Sequence, residues 1–298
     1  MSRIAILGAT SQIAGDFIVR AAGQHTLFLY ARQPGPVRGF QALPFSEFGK
    51  LSYDAVINFV GAGDPAKIKE LGTAIFDITQ EFDALALDFI KKNPACRYIF
   101  LSSGVASGKD FLTEASEMTK RLTDVPSLAA QDYYSAAKFQ AEARHRALPD
   151  LPIVDIRLFN YFSCTSDTAA RFFITDLIRS IRDKTVFKTS SDIMVRDYMH
   201  PADFYQFVEL LLTAPPFNRA VECYSRAPVD KITLLKEMKV RLGLQYEVSE
   251  ERPALVNATG SKPYYYSTDR AAADFGYKPK YSSIDGLVKE ISELFAKQ

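Results

Sequence analysis

Short, almost unbroken apolar runs alternate with stretches of helical periodicity through the first half of the chain, and this alternation limits the fold more than any other feature. Ile4 to Leu7, Thr26 to Tyr30, Asp54 to Val60, Arg97 to Ser102 and Ile153 to Leu158 read as strands. Gln12 to Ala22, Phe76 to Lys92, Asp132 to Leu148 and Thr168 to Arg182 read as helices. Strands without polar alternation are buried on both faces, and the intervening helices supply the cover, so a parallel sheet is predicted. Right-handed crossovers then make it doubly wound. Beyond Asn160 the alternation fades. Residues 184–298 mix short strand-like pieces with helices predicted at Pro201 to Leu212, Thr233 to Leu242 and Ile284 to Ala296. The reading is an α/β chain: a doubly wound parallel sheet over residues 1–160, joined by strand and helix contributions from later segments, and a smaller C-terminal α/β lobe over 161–298.

Composition excludes several classes of partner. The 298 residues are 47% hydrophobic and 24% charged with a net charge of +1, typical of a soluble globular protein and without a basic arm for nucleic acid or acidic lipid. No apolar stretch reaches the roughly 18 residues of a membrane span. Met1-Ser2-Arg3 runs straight into a strand, without the apolar region and cleavage site of a signal peptide. Cys96, Cys164 and Cys223 are odd in number and far apart, which suits a reducing cytoplasm. There is no CxxC, no HExxH and no cluster of the three histidines, so no metal site is expected.

Two segments carry chemistry. Gly8-Ala9-Thr10-Ser11-Gln12-Ile13-Ala14 joins the first strand to the first helix, where a tight turn and a helix N-terminus can cradle a dinucleotide pyrophosphate. Gly8, Thr10, Ser11, Gln12 and Ile13 are the candidate contacts. Only Gly8 is glycine; Ser11 stands where the backbone should approach phosphate and Ala14 where helix meets strand. The second strand ends in Tyr30-Ala31-Arg32 rather than the Asp or Glu that accepts from the ribose 2′-hydroxyl of NAD. A guanidinium there can pair with a 2′-phosphate, which favours NADP with NAD still possible; a solvated surface arginine is the alternative. The other segment is Tyr134-Ser135-Ala136-Ala137-Lys138. Tyr and Lys four residues apart share a helix face, and an ammonium near the phenol stabilises the phenolate and makes the tyrosine a proton exchanger nearer neutral pH.

In this order the segments resemble the extended short-chain dehydrogenase/reductase family, in its nucleotide-sugar epimerase/dehydratase branch, over nearly the whole chain. Gly8, Ser11 and Ala14 loosely match the family's GxxGxxG turn. Asn58-Phe59-Val60-Gly61 resembles the segment under the adenosine ribose and pyrophosphate, which adds Phe59, Val60 and Gly61 as cofactor contacts. Leu101-Ser102-Ser103-Gly104 matches the strand end that carries the catalytic hydroxyl, assigned by position to Ser103. Tyr134 and Lys138 fill the YxxxK pair. Arg157-Leu158-Phe159-Asn160 is similar to an RxxN segment near the nicotinamide and substrate phosphates, and Arg196-Asp197-Tyr198-Met199-His200-Pro201-Ala202-Asp203 to the RDxxHxxD stretch. Asn160 and Arg196 are thus the substrate-binding candidates. Asp269, Phe275 to Pro279 and Gly286-Leu287 resemble the closing signature.

The resemblance implies a Rossmann sheet, a nucleotide-sugar substrate and a homodimer through the helices Phe76 to Lys92 and Asp132 to Leu148. It also implies roles. Tyr134 is the general acid or base, Lys138 lowers its pKa and meets the nicotinamide ribose, and Ser103 donates to the reacting oxygen. For Arg196 an internal salt bridge with Asp197 or Asp203 is the alternative. For His200 a structural hydrogen-bonded role is favoured, and Cys164 is small filler.

Departures from the family pattern narrow the reaction. Sugar 4,6-dehydratases place an Asp-Glu pair directly after the catalytic hydroxyl residue, where this chain has Gly104-Val105. No histidine is placed for a carbon-acid Cys-His pair. The helix through Leu71 to Lys92 has no Asn for a proton relay, and Thr259-Gly260-Ser261-Lys262 stands where an Arg-x-x-Asp nucleoside contact is common. The expectation is an NADPH-dependent reductase of a keto sugar. A 4-epimerase and a non-enzymatic NADP-binding regulator are the alternatives.

Overall fold

The computed structural model describes residues 1–107, 110–120, 125–249 and 262–297. Strand β1 (Arg3–Leu7) pairs in parallel with β2 (Thr26–Tyr30) on one side. On its other side lies β5 (Ala55–Asn58), then β6 (Arg97–Ser103) and β7 (Ile153–Leu158), also parallel. Beyond β2 comes a short antiparallel hairpin, β3 (Gly35–Val37) and β4 (Phe40–Leu43), of which β4 runs parallel to β2. The hairpin was not anticipated. Arg38 and Gly39 at its tip both take positive φ, the backbone of a two-residue turn.

Alternate residues of β1 serve opposite faces. Ile4 and Ile6 join one core cluster and Ala5 and Leu7 the other. Phe17, Ile18 and Ala21 of α1 (Gln12–Ala21) fill the first face, and Phe89 and Ile90 of α3 (Ala74–Lys92) with Ala141 of α4 (Tyr133–Arg146) fill the second.

The predicted helix through Leu71 is two helices. A short α2 (Pro65–Leu71) stops at Gly72, which has φ +51°, before α3 begins. Asp54, Phe59 and Val60 lie outside the regular strand. Likewise α5 (Phe173–Arg182) starts later than periodicity suggested, because Thr175 ties its hydroxyl to the Ala170 and Phe172 carbonyls and fixes the helix start there.

Past β8 (Asn160–Tyr161), β9 (Val186–Ser190), β10 (Val195–Arg196) and β11 (Tyr198–Met199), the chain returns to the sheet. Helix α6 (Pro201–Thr213) lays Phe204, Phe207, Val208 and Leu211 into the first core face beside α1. A strand not anticipated from the sequence, β12 (Arg219–Cys223), then adds in parallel to β7 and completes the order β12-β7-β6-β5-β1-β2-β4-β3. The remaining elements are β13 (Val229–Asp230), α7 (Lys231–Leu242), β14 (Gln245–Ser249), β15 (Tyr264–Tyr265) and α8 (Ser283–Ala296). Leu177, Ile178, Leu234, Leu235, Met238 and Ile291 form a separate apolar cluster among α5, α7 and α8. Among the described residues no helix is long and apolar enough to cross a membrane.

Candidate active site

Strand β6 ends in two serines, and the pleat sends them to opposite sides. Ser102 donates to Glu142 at 2.6 Å, inside an ion-pair cluster. Ser103 turns the other way, where its hydroxyl hydrogen-bonds the Tyr265 phenol at 3.1 Å and lies close enough to Tyr134 to act on its ionisation. The alternation thus separates a structural serine from one that faces a phenol. Tyr134 and Lys138 sit one turn apart in the N-terminal half of α4, which a Ser135 hydroxyl bond to the Val105 carbonyl at 2.7 Å pins to the loop after β6.

The electrostatics differ from the expectation in one respect. The Lys138 ammonium points to the Leu101 carbonyl, 2.8 Å away, and stacks over Phe100 at 4.3 Å, with the Tyr134 ring centroid 6.0 Å off. Burial lowers its pKa to about 8, against the opposing pull of Asp83, Glu142 and Asp155. The Tyr134 phenol is pushed up by burial and drawn back by Ser103. Lys138 therefore does not hold the phenol below its usual range in this arrangement, because its ammonium is turned to β6.

Around these groups lies an aromatic wall. Phe111, Phe159 and Tyr265 meet edge to face with centroids 4.9 to 6.2 Å apart, packed with Val105 and Tyr134. Gly104 lies against it, where a Cβ would overlap the Phe159 ring. None of Phe111, Phe159 and Tyr265 was singled out from the sequence. The run Tyr264-Tyr265-Tyr266 just before Asp269 was the available signal.

The turn after β1 fits a dinucleotide at its backbone. Gly8 has φ +75°, and a Cβ on it would stand 2.8 Å from the Val60 nitrogen, so the two loops touch main chain to main chain. Ser11 caps α1 by accepting from the Ala14 amide at 3.3 Å, which leaves the first-turn amides Gln12 and Ile13 without intrahelical partners. Thr10 is exposed and Ile13 half-buried at the mouth of this turn. The Gln12 side chain instead reaches Ser163 and Ser166, at 2.9 and 2.6 Å. Asp16, one turn on, is buried and bonded to Tyr161 and Thr165, a tie that sequence reasoning missed.

Phe59 packs its ring into the core against Phe17 and Phe204, so only its backbone can serve a cofactor. The Val60 amide is held by Asn58 at 2.9 Å. A Cβ at Gly61 would lie 3.5 Å from the Lys138 nitrogen, which brings the loop after β5 and helix α4 into contact. Arg32 is exposed directly after β2.

The second-lobe candidates divide. The Asn160 amide donates to the Asp197 carbonyl at 3.0 Å. Arg196 makes no ion pair with Asp197 or Asp203 among the described residues; its guanidinium donates to the Val195, Lys262 and Pro263 carbonyls. Those carboxylates are occupied elsewhere, Asp197 by Ser225 and Ser283 and Asp203 by the Lys280 and Tyr281 amides. Lys262 lies near Arg196, and burial followed by that guanidinium lowers its pKa to about 8.

Arg157, at the head of the RxxN-like segment, is tied up in ion pairs. It lies across the sheet between Ser102 and Glu222 and pairs with Glu142 and Glu222 at 2.6 and 3.2 Å. His200 caps α6, with Nδ1 accepting from the Ala202 amide and Nε2 2.8 Å from Glu290. Among the described residues Cys164, Glu290 and Glu293 are grouped as metal ligands would be, but Lys297, His200 and Lys289 respectively engage them. Asp269 accepts from the Ala271 amide at 2.7 Å and so caps the turn that follows. Thr259, Gly260 and Ser261 lie outside the described residues.

A wound sheet whose first turn brings main chain against main chain, with a Ser-Tyr-Lys group at the carboxyl ends of its strands, defines the extended short-chain dehydrogenase/reductase class. Residues 45–224 match the model of the NAD dependent epimerase/dehydratase family, and the chain belongs to that family. A comparison with curated protein sequences gives no match. Among solved structures the chain is similar to UDP-N-acetylglucosamine 4-epimerase from Methanobrevibacter ruminantium M1, at a TM-score of 0.82 and 13% identity over 100% of this chain and 99% of that one. It is also similar to UDP-glucose 4-epimerase from Thermotoga maritima, at 0.78 and 17% over 99% of each chain. A third is dTDP-glucose 4,6-dehydratase from Bacillus anthracis, at 0.72 and 15% over 100% and 97%.

Proposed function

We propose that the protein performs redox chemistry at a single carbon of a nucleotide-linked sugar, as an NADPH-dependent reductase of a keto sugar. The observation that carries this is the packing of Gly104 under Phe159 beside Ser103 and the neighbouring Tyr134 phenol. A proton donor and an oxyanion donor stand together, while the position where dehydratases carry an acid has no room for a side chain.

Gly8, the first-turn amides, the Val60-Gly61 backbone and Lys138 would hold the dinucleotide, and when bound its nicotinamide supplies the hydride. Ser103 then donates to the carbonyl oxygen and stabilises the charge that develops there. Tyr134 gives that oxygen its proton. Arg32 at the end of β2 supports the 2′-phosphate preference, since a guanidinium binds phosphate bidentately. Arg196 and Lys262, both basic and close together, suit a substrate diphosphate.

A second reading, a nucleotide-sugar 4-epimerase that keeps NAD through both half-reactions, draws support from the two 4-epimerases that the chain resembles. A homodimer through α3 and α4 belongs to either reading. Incubation with NADPH or NADH and a panel of nucleotide-linked 4-keto sugars separates the two. Stoichiometric loss of NADPH with formation of the hydroxyl sugar supports the reductase. Interconversion of hydroxyl sugars without net cofactor consumption assigns the epimerase. Equal affinity for NADH and NADPH removes the case for Arg32.

A further inference from the structure

The Ser103 hydroxyl has one proton and two phenols against it. The assignment of that proton decides whether Ser103 can serve the reacting oxygen. Tyr265 lies on β15, opposite Arg196 of β10 in a parallel pair, and its ring is held edge-on by Phe111 at 4.9 Å and Phe159 at 5.0 Å. It is 9% exposed, and burial pushes its ionisation far above the ordinary tyrosine range, so it keeps its proton at every working pH. Either oxygen can be the donor in this contact, and a phenol that keeps its proton has one to give to Ser103 Oγ.

We infer that Tyr265 is a positioning residue: its O–H donates to Ser103 Oγ, which directs the Ser103 proton towards Tyr134 and the place where a substrate oxygen would meet that phenol. The aromatic wall keeps the Tyr265 ring from swinging away, so the Ser103 rotor is set before substrate arrives. This preorganises the oxyanion donor instead of leaving it to be ordered during reaction. The inference rests on the reading of Ser103 and Tyr134 as the reacting pair.

The test needs no substrate. Tyr134 is replaced in the full chain by 3,5-difluorotyrosine, whose phenol ionises near neutral pH, and its fluorine resonance is titrated. Ser103 donating to that phenolate lowers the midpoint. Tyr265→Phe keeps the ring and removes the orienting donor, so the midpoint rises by about half a unit or more, the net worth of one hydrogen bond. In a Ser103→Ala background, itself raised, Tyr265→Phe adds nothing, as expected for groups acting in series. An unchanged midpoint in Tyr265→Phe overturns the inference. So does an equal further shift in the Ser103→Ala background, which would mark simple packing. Failure to find any turnover would count against the proposed function and leave this titration standing.

Discussion

Lys138 donates to the Leu101 carbonyl at 2.8 Å, two residues before Ser103 on the same strand. The bond fixes how far α4 slides along β6, and with it the approach of Tyr134 to Ser103. Lys138→Met keeps the aliphatic stem but removes that charge-assisted hydrogen bond, at a cost of about 1.5–3 kcal/mol. The expected outcome is a lower denaturant midpoint together with weaker dinucleotide binding, because the ammonium also lies beside Gly61. Chemical denaturation and a cofactor titration check the two separately, and unchanged cofactor affinity would exclude the role at the cofactor loop.

Tyr134 and Ser103 are separable by conservative replacement. Tyr134→Phe deletes the proton and keeps the ring, and turnover of an identified substrate is expected to fall roughly 10²–10⁴-fold, the range for one positioned acid. Ser103→Ala removes one donor to the reacting oxygen and costs about 10²–10³-fold. Dinucleotide affinity should stay near wild type in both, as measured by fluorescence titration. Wild-type turnover in Tyr134→Phe would remove the mechanism.

Gly104 is fixed by its neighbour and not by its backbone. A Cβ there overlaps the Phe159 ring, and overpacking of this kind costs about 1–3 kcal/mol. Gly104→Ala is therefore expected to lower the thermal midpoint, and Phe159→Leu in the same chain to recover part of the loss by making space. Failure of the second change to compensate would show that the strain lies elsewhere.

The sheet and the side-by-side placement of Tyr134 and Lys138 were legible because they depend on local pattern. Five apolar runs placed β1, β2, β5, β6 and β7, and an i, i+4 spacing placed Tyr134 over Lys138. What stayed hidden depends on long-range pairing. β12 has no apolar signature strong enough to stand out, since Arg219 and Glu222 interrupt it, and its place is set by pairing with β7 and the Arg157–Glu222 contact. The RxxN resemblance gave no sign that strand register would put Arg157 between two buried carboxylates. Tyr265 reaches Ser103 across 162 positions of sequence, a contact that no window reveals.

His145, at the far end of α4 from Tyr134, is wholly buried with Nδ1 2.5 Å from Asp155 and Nε2 2.7 Å from Asp83. Asp83 also takes the Tyr98 phenol, which in turn accepts from Asn58 at the end of β5. Burial opposes the charge on His145, but the two carboxylates outweigh it and raise its pKa to about 9. A folded-state value above the unfolded one means that the native chain binds the extra proton. Its stabilisation is full below the unfolded value of about 6.5 and is lost as pH rises towards 9. Glu222, raised by burial to about 7, acts in the same direction at lower pH. Lys138, lowered to about 8, acts in the opposite direction above that value. The clean window is thus from about pH 7 to 8, where unfolding free energy should fall with pH in the wild type. His145→Gln should be less stable at pH 7 and nearly flat across that window. Urea denaturation at closely spaced pH values measures both, and an equal slope in the two proteins would show that His145 is neutral in the native fold.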